Sequence, residues 1–114
     1  MDFFVVVESP TTFQGRAKPL ALKENWDRFS AFQHIIIHRV VEDGNPSRLI
    51  WDHEDWLRNS ILREVFPGLV GTRFEAVEGD VLVVSDVDEI VRPEAMALLR
   101  LCDFPLRLTL RSAF

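Results

Sequence analysis

An uninterrupted apolar run that ends in acidic residues constrains the fold of this chain more than any other stretch. Residues Val81–Val84 are all apolar, and most of them are β-branched. Such a run predicts a strand over Asp80–Ser85 that is buried on both faces, as strands are inside a parallel sheet. In open α/β sheets, ligands bind outside the carboxyl ends of the strands. The three carboxylates that follow, Asp86, Asp88 and Glu89, therefore fall where such a sheet places its chemistry.

The same acidic residues have an alternative explanation that involves no ligand. The chain contains nine aspartates in 114 residues, so one Asp-x-Asp tripeptide is not improbable by chance. An acidic turn that caps the following helix would also carry carboxylates, because they are favoured at helix N-termini. The position directly after a predicted buried strand is what favours a functional site.

Length and composition limit the chain to one domain of ordinary size. It has 114 residues, and its 47% hydrophobic content is sufficient for a core. No stretch approaches the roughly 18 apolar residues that a membrane span needs, and no secretory signal is visible. Cys102 is the single cysteine, so we expect no internal disulfide and a small buried side chain in an apolar helix.

The formal net charge of −5 restricts the partners. It argues against nucleic acid, whose backbone requires a basic stripe. An acidic cluster also repels a diphosphate, unless a divalent cation lies between them and reverses the local field. A phosphate ester bound at Asp86 and its neighbours would therefore need a metal.

Strands alternate with helices along the chain, which predicts an α/β domain with a mainly parallel sheet and right-handed crossovers. Besides the strand already described, the apolar patterns predict strands at Asp2–Glu8, His34–Val41 and Leu106–Leu110. They also predict three helices. The first covers Lys23–Phe32, and the second begins after an N-cap at Asp52 and continues to about Phe66, where Pro67-Gly68 stops it. The third begins at Pro93, is ended by Pro105 and is expected to be mostly buried.

Outside the acidic cluster, a few polar residues stand out. Glu8 and Ser9 form a polar exit from the first predicted strand, and Arg58 lies within the second predicted helix, where pairing with a neighbouring acid is the simpler explanation. His34 and His38 would share a strand face without the rest of a metal-ligand set, so we predict no metal site there.

Four local strings, in order, resemble glycosyltransferase family 17. The strings are Asp2–Ser9, Phe13–Leu20, Trp56–Leu62, and Gly79–Ile90 followed by Arg92-Pro93-Glu94. The best-known member of that family adds the bisecting β-1,4-linked N-acetylglucosamine to the core mannose of N-glycans. The resemblance spans nearly the whole chain.

The resemblance implies a GT-A-like (Rossmann-like) fold and a set of site residues. Asp86 and Asp88 would be an Asp-x-Asp pair that holds a divalent metal, with Mn²⁺ the expected ion, against the diphosphate of UDP-N-acetylglucosamine. Glu89 would be a further metal ligand or an orienting group. The other residues expected to border the nucleotide are Glu8, Ser9 and, as a contact to diphosphate or uracil, Arg58.

The resemblance also implies an incomplete domain. Residues 1–114 would be the donor and metal-binding half of a glycosyltransferase domain, without the family's first strand and its acceptor region, and we expect no useful transfer from this chain alone. No general base is assignable. The partners implied are a nucleotide sugar and a glycan or glycoprotein acceptor. Family members act on the lumenal side of the Golgi membrane, although no anchor or signal is visible here.

Two alternatives belong to other functional classes. One is a non-catalytic remnant or partner-binding α/β module, whose exposed strand edges pair with another chain. The other is phosphoryl transfer of the haloacid dehalogenase type, which also uses Asp-x-Asp after a strand. That family has the motif after its first strand, whereas here it comes late in the chain and is followed by Glu89-Ile90.

Overall fold

The computed structural model describes residues 2–42, 49–86 and 89–110. Asp88, which the sequence predicts as a metal ligand, lies outside the described residues. The chain divides into two compact units, Met1–Ala76 and Val77–Phe114. We describe each unit by itself.

The first unit contains a parallel pair of strands, β1 (Phe4–Glu8) and β2 (Ile36–Val40). Their register pairs Phe4 with Ile36 at one end and Glu8 with Val40 at the other. Both strands are rich in β-branched residues, which suit a pleated, half-buried surface. The two predicted N-terminal strands are confirmed, each slightly shorter than expected, and so is the parallel pairing.

The connection between the two strands is a series of short turns of helix. They are α1 (Ala21–Glu24) and 3₁₀ turns at Trp26–Phe29 and Gln33–Ile35. The predicted continuous helix over Lys23–Phe32 is therefore wrong. Asn25 is the physical reason, because its side-chain Nδ2 donates to the carbonyl of Ala21 at 2.8 Å. A short polar side chain that bonds the local backbone in this way competes with helix propagation.

The second predicted helix is present with different ends. Here α2 (Ile50–Ser60) follows an N-cap at Leu49, so Asp52 lies in the first turn and is not the cap. The helical path continues as a π-helical turn at Ile61–Val65 and a 3₁₀ turn at Phe66–Leu69. Pro67 does not stop it, because proline is tolerated in the first turn of a helical segment, where its missing N–H needs no partner.

A small apolar core joins this helical segment to the sheet. Its buried members are Ile37 from β2 and Val65 and Leu69 from the turns after α2. The partly buried residues packed around them are Val5, Val7, Phe66 and Phe74. Phe74 also meets Phe3 edge-to-face, with the ring centroids 4.9 Å apart. One side of β1 and β2 is thus covered by Val65 and Leu69 together with the partly buried Phe66 and Phe74.

The second unit contains α3 (Pro93–Leu101), which begins at Pro93 as predicted. None of its residues is buried, and Leu101 is 84% exposed, so the prediction of a mostly buried helix is wrong. Cys102, expected to be buried, is exposed. Nor is any helix of the described residues long and apolar enough to cross a membrane.

The predicted strands of the second unit are not formed. Residues 81–86 and Leu106–Leu110 have no strand geometry, and Val81, Leu82 and Val84 are exposed. An extended segment becomes a strand when a neighbouring strand accepts and donates its backbone hydrogen bonds. Within the described part of the chain, the sheet has two strands, β1 and β2, and neither segment adds to it.

Candidate functional site

The carboxylate of Glu8, at the carboxyl end of β1, is held by three hydrogen bonds. Its Oε1 accepts from the backbone N–H of Leu22 at 2.9 Å, and its Oε2 accepts from the N–H of Lys23 at 3.1 Å. The same Oε2 lies 2.8 Å from Nε2 of His38 on β2. Glu8 therefore connects β1, the first turn of α1 and β2 through one side chain.

These contacts decide the ionisation of Glu8. Burial raises the pKa of Glu8, but the backbone N–H groups of Leu22 and Lys23 and the hydrogen bond and charge of His38 lower it, and the net pKa lies below its usual value of 4.5. Hydrogen bonds to a carboxylate favour its charged form. Glu8 is thus a fixed negative charge at neutral pH.

Ser9 is buried beside Glu8 and shapes the start of the following loop. Its Oγ accepts a hydrogen bond from the backbone N–H of Thr11 at 3.3 Å and lies 3.2 Å from the hydroxyl of Thr11. The adjoining cavity measures about 10 Å³ and has room for about one water molecule. Its lining consists of Ser9, Thr11, Thr12, Phe13, His53, Trp56 and Leu57.

Arg58 projects from α2 and is paired with an acid one turn earlier. Its Nη2 donates to Oε1 of Glu54 at 3.1 Å, an i,i+4 pair in which the arginine side chain is 45% exposed. Exposed pairs of this kind contribute about 0–1 kcal/mol. The pairing with a neighbouring acid that the sequence indicates is therefore present, and the contact of Arg58 with a nucleotide stays a prediction.

In the second unit, Asp86 and Glu89 form a hydrogen-bonded turn. The backbone N–H of Glu89 donates to the carbonyl of Asp86 at 3.0 Å, and Glu89 Oε2 accepts from the N–H of Asp86 at 3.1 Å. Both residues are exposed. The bond from the Asp86 N–H to the Glu89 side chain is one half of a capping box. Together the two hydrogen bonds fix the backbone that carries the carboxylate of Asp86.

Comparison with known proteins gives one result. The sequence model of glycosyltransferase family 17 matches residues 1–113. The chain belongs to glycosyltransferase family 17. No significant match to a curated protein or to a solved structure was found. The resemblance expected from the sequence is confirmed, and the family is one of glycosyltransferases, enzymes that act on a nucleotide sugar and an acceptor.

The metal site expected of this glycosyltransferase remains a prediction. Among the residues that the structure describes, no three histidine, cysteine, aspartate or glutamate side chains come close enough to hold a metal ion together. Asp88, the second member of the predicted pair, is not among them. The predicted site residues also fall in both units, with Glu8, Ser9 and Arg58 in the first and Asp86 and Glu89 in the second.

His38, the partner of Glu8 in this glycosyltransferase chain, was not predicted from the sequence. Glu8 pairs in register with Val40, so His38 lies two residues before that pairing. Residues two apart on a strand project from the same face. Trp26 stacks on the His38 ring, with 6.0 Å between ring centroids and 29° between planes. The contact between Glu8 and His38 could have been predicted only by assuming that β1 and β2 pair in parallel with this register.

Proposed function

We propose that the chain forms the donor-binding part of a glycosyltransferase that transfers N-acetylglucosamine from UDP-N-acetylglucosamine to the β-linked core mannose of N-glycans. The family match over residues 1–113 carries the proposal. The Asp-x-Asp sequence at Asp86 and Asp88 supports it, because two neighbouring carboxylates are suited to holding a divalent cation against a diphosphate.

Asp86 fits a divalent cation in its chemistry and its setting. It is an exposed carboxylate on a turn fixed by Glu89, and carboxylate oxygens suit Mn²⁺ and Mg²⁺. With a net charge of −5, the chain needs such an ion to hold a diphosphate. The bound metal would supply Lewis-acid stabilisation of the charge on the departing UDP. Asp88 is the second ligand in the proposal.

The remaining predicted residues have supporting roles in this proposal. Glu89 orients Asp86 through its hydrogen bond to the backbone of that residue. Glu8, Ser9 and Arg58 belong to the first unit, and their proposed contacts to the nucleotide rest on the family resemblance alone.

The fold and the place of action belong to the same proposal. The parallel pair of β1 and β2, connected through helical turns, is compatible with a GT-A-like domain. We propose, as the family resemblance implies, that the reaction takes place on the lumenal side of the Golgi membrane with a glycan or glycoprotein as the acceptor.

Substitution of Asp86 by asparagine tests the proposal. We expect UDP-N-acetylglucosamine to bind the chain when Mn²⁺ is present, and Asp86→Asn to weaken that binding at least about tenfold, the lower end of what even a supporting residue of a metal site costs. Isothermal titration calorimetry with and without EDTA measures both effects. In EDTA, no binding is expected.

The matched control is Asp103→Asn, the same change at another exposed aspartate of the second unit. It should leave the affinity unchanged. Binding that persists in EDTA, or that Asp86→Asn and Asp103→Asn reduce equally, contradicts the proposal. Absence of any binding by the unaltered chain would favour the alternative of a non-catalytic, partner-binding module.

A further inference from the structure

The outer surface of α2 contains an open depression of about 220 Å³, which we call the α2 depression. It is lined by Asp52, Asp55, Trp56, Asn59 and Arg63. Their spacing of three or four residues places all five along one face of the helical segment. None of the site residues predicted from the sequence lines it, so it is a separate feature of the first unit.

The aromatic member of the α2 depression is held in place from one side. Nη2 of Arg63 donates to the carbonyl of Trp56 at 3.1 Å, and the guanidinium carbon lies 5.2 Å from the centre of the indole ring. Trp56 is half-buried and also lines the small cavity beside Ser9. A fixed indole offers apolar surface at little cost in side-chain entropy.

The polar members of the α2 depression are available to a ligand. Asp52, Asp55 and Asn59 are exposed, and within residues 2–42, 49–86 and 89–110 their side chains have no hydrogen bond or ion pair. Carboxylates accept hydrogen bonds, and an amide both donates and accepts. A sugar ring matches this set, because its C–H groups pack on an aromatic surface while its hydroxyls donate to carboxylates and accept from the amide.

Charge and size narrow the ligand further. Two carboxylates and one guanidinium leave the α2 depression with a net negative charge, which disfavours a diphosphate or any other anion. Its volume of about 220 Å³ is below the roughly 300–1,000 Å³ of pockets that take drug-sized ligands. The surface therefore suits one neutral ring rather than a whole nucleotide sugar.

We propose that the α2 depression binds a neutral sugar residue, one ring of the acceptor glycan, and that acceptor contacts therefore extend into the part of the domain that the resemblance assigns to the donor. The identification of that ring as part of an acceptor rests on the proposed glycosyltransferase function. The binding of a neutral sugar does not rest on that function, because it requires no metal and does not involve Asp86, Asp88 or Glu89.

A titration of the ¹⁵N-labelled chain with methyl β-D-mannopyranoside tests the inference. We expect shift changes at the Trp56 indole N–H and the Asn59 amide, saturating below about 100 mM, as a site with a Kd of about 1 mM would. Asn59→Ala and Trp56→Phe should each weaken binding at least fivefold. Asn59→Ala replaces an exposed residue by a strong helix former and should stay folded, so it decides the result if Trp56→Phe unfolds.

The control on the same helix is Trp51→Phe, since Trp51 is 73% exposed and does not line the α2 depression. It should bind the sugar as the unaltered chain does, and EDTA should leave the sugar affinity of the unaltered chain unchanged. Sugar binding without donor binding would reject the proposed function and keep this inference. Shift changes that avoid α2, or none up to about 100 mM, overturn the inference whatever the donor titration shows.

Discussion

Replacing Leu69 by alanine is expected to lower the free energy of unfolding by about 2–5 kcal/mol. Leu69 is 2% exposed and packs with Ile37 and Val65 in a core that has three buried members. Truncation removes the apolar contacts of its side chain and leaves a cavity, and a core this small has few other side chains to fill it. Because domains are stable by roughly 5–15 kcal/mol, this is a large fraction of the total.

Urea denaturation followed by far-UV circular dichroism measures the change. Leu62→Ala is the control, because it makes the same substitution in the same helical segment at a side chain that is 57% exposed. Surface changes of this kind are usually within about 0.5 kcal/mol. Equal losses of stability in the two variants would show that Ile37, Val65 and Leu69 are not the core of the first unit.

The parallel pair β1 and β2 could be predicted from the sequence because its signal is local. Each strand is a short run of β-branched residues bounded by polar or turn-forming residues. The start of α3 was predicted for the same reason, since Pro93 sets the backbone angle of the first helical residue by itself. Where one residue type decides the conformation of its own backbone, the sequence is sufficient.

The run at Val81–Val84 shows where local signals fail. Its composition is that of a buried strand, yet three of its four side chains are exposed and the run is unpaired within the described residues. A strand requires a partner at hydrogen-bonding distance, and an apolar pattern does not say which segment that partner is. The same limit explains Leu106–Leu110, whose apolar pattern predicts a final strand that the structure does not form.

The candidate site also contains residues that the local sequence predicts and contacts that only the tertiary structure reveals. The end of β1 at Glu8 and Ser9 was identified because polar residues follow an apolar run. The contact of Glu8 with His38 spans 30 positions in sequence and depends on strand register, which composition does not reveal. Trp56 is half-buried and lines the α2 depression beside Asn59 and Arg63, and no feature of the sequence singled it out as a binding residue.

Glu8→Gln is expected to lower the free energy of unfolding at pH 7 by about 1.5–3 kcal/mol, the typical contribution of a hydrogen bond to a charged group. The Glu8 side chain is 14% exposed, so water replaces the lost contacts poorly. Glutamine keeps one oxygen for the N–H of Leu22 or Lys23, but it loses the charge and the second acceptor. Chemical denaturation at pH 7 measures the difference.

The stability difference between the unaltered chain and Glu8→Gln should depend on pH, which a simple loss of packing would not cause. Because the folded-state pKa of Glu8 is lowered from 4.5, its stabilisation is complete above that unfolded-state value and is lost as the pH falls through the folded-state pKa. The gap in stability between the unaltered chain and Glu8→Gln should therefore narrow from about pH 7 to about pH 3. Glu64→Gln, at a 47% exposed glutamate, should show no such narrowing. A gap for Glu8→Gln that is the same at both ends of this range would mean that the carboxylate of Glu8 does not hold β1, α1 and β2 together as an ion.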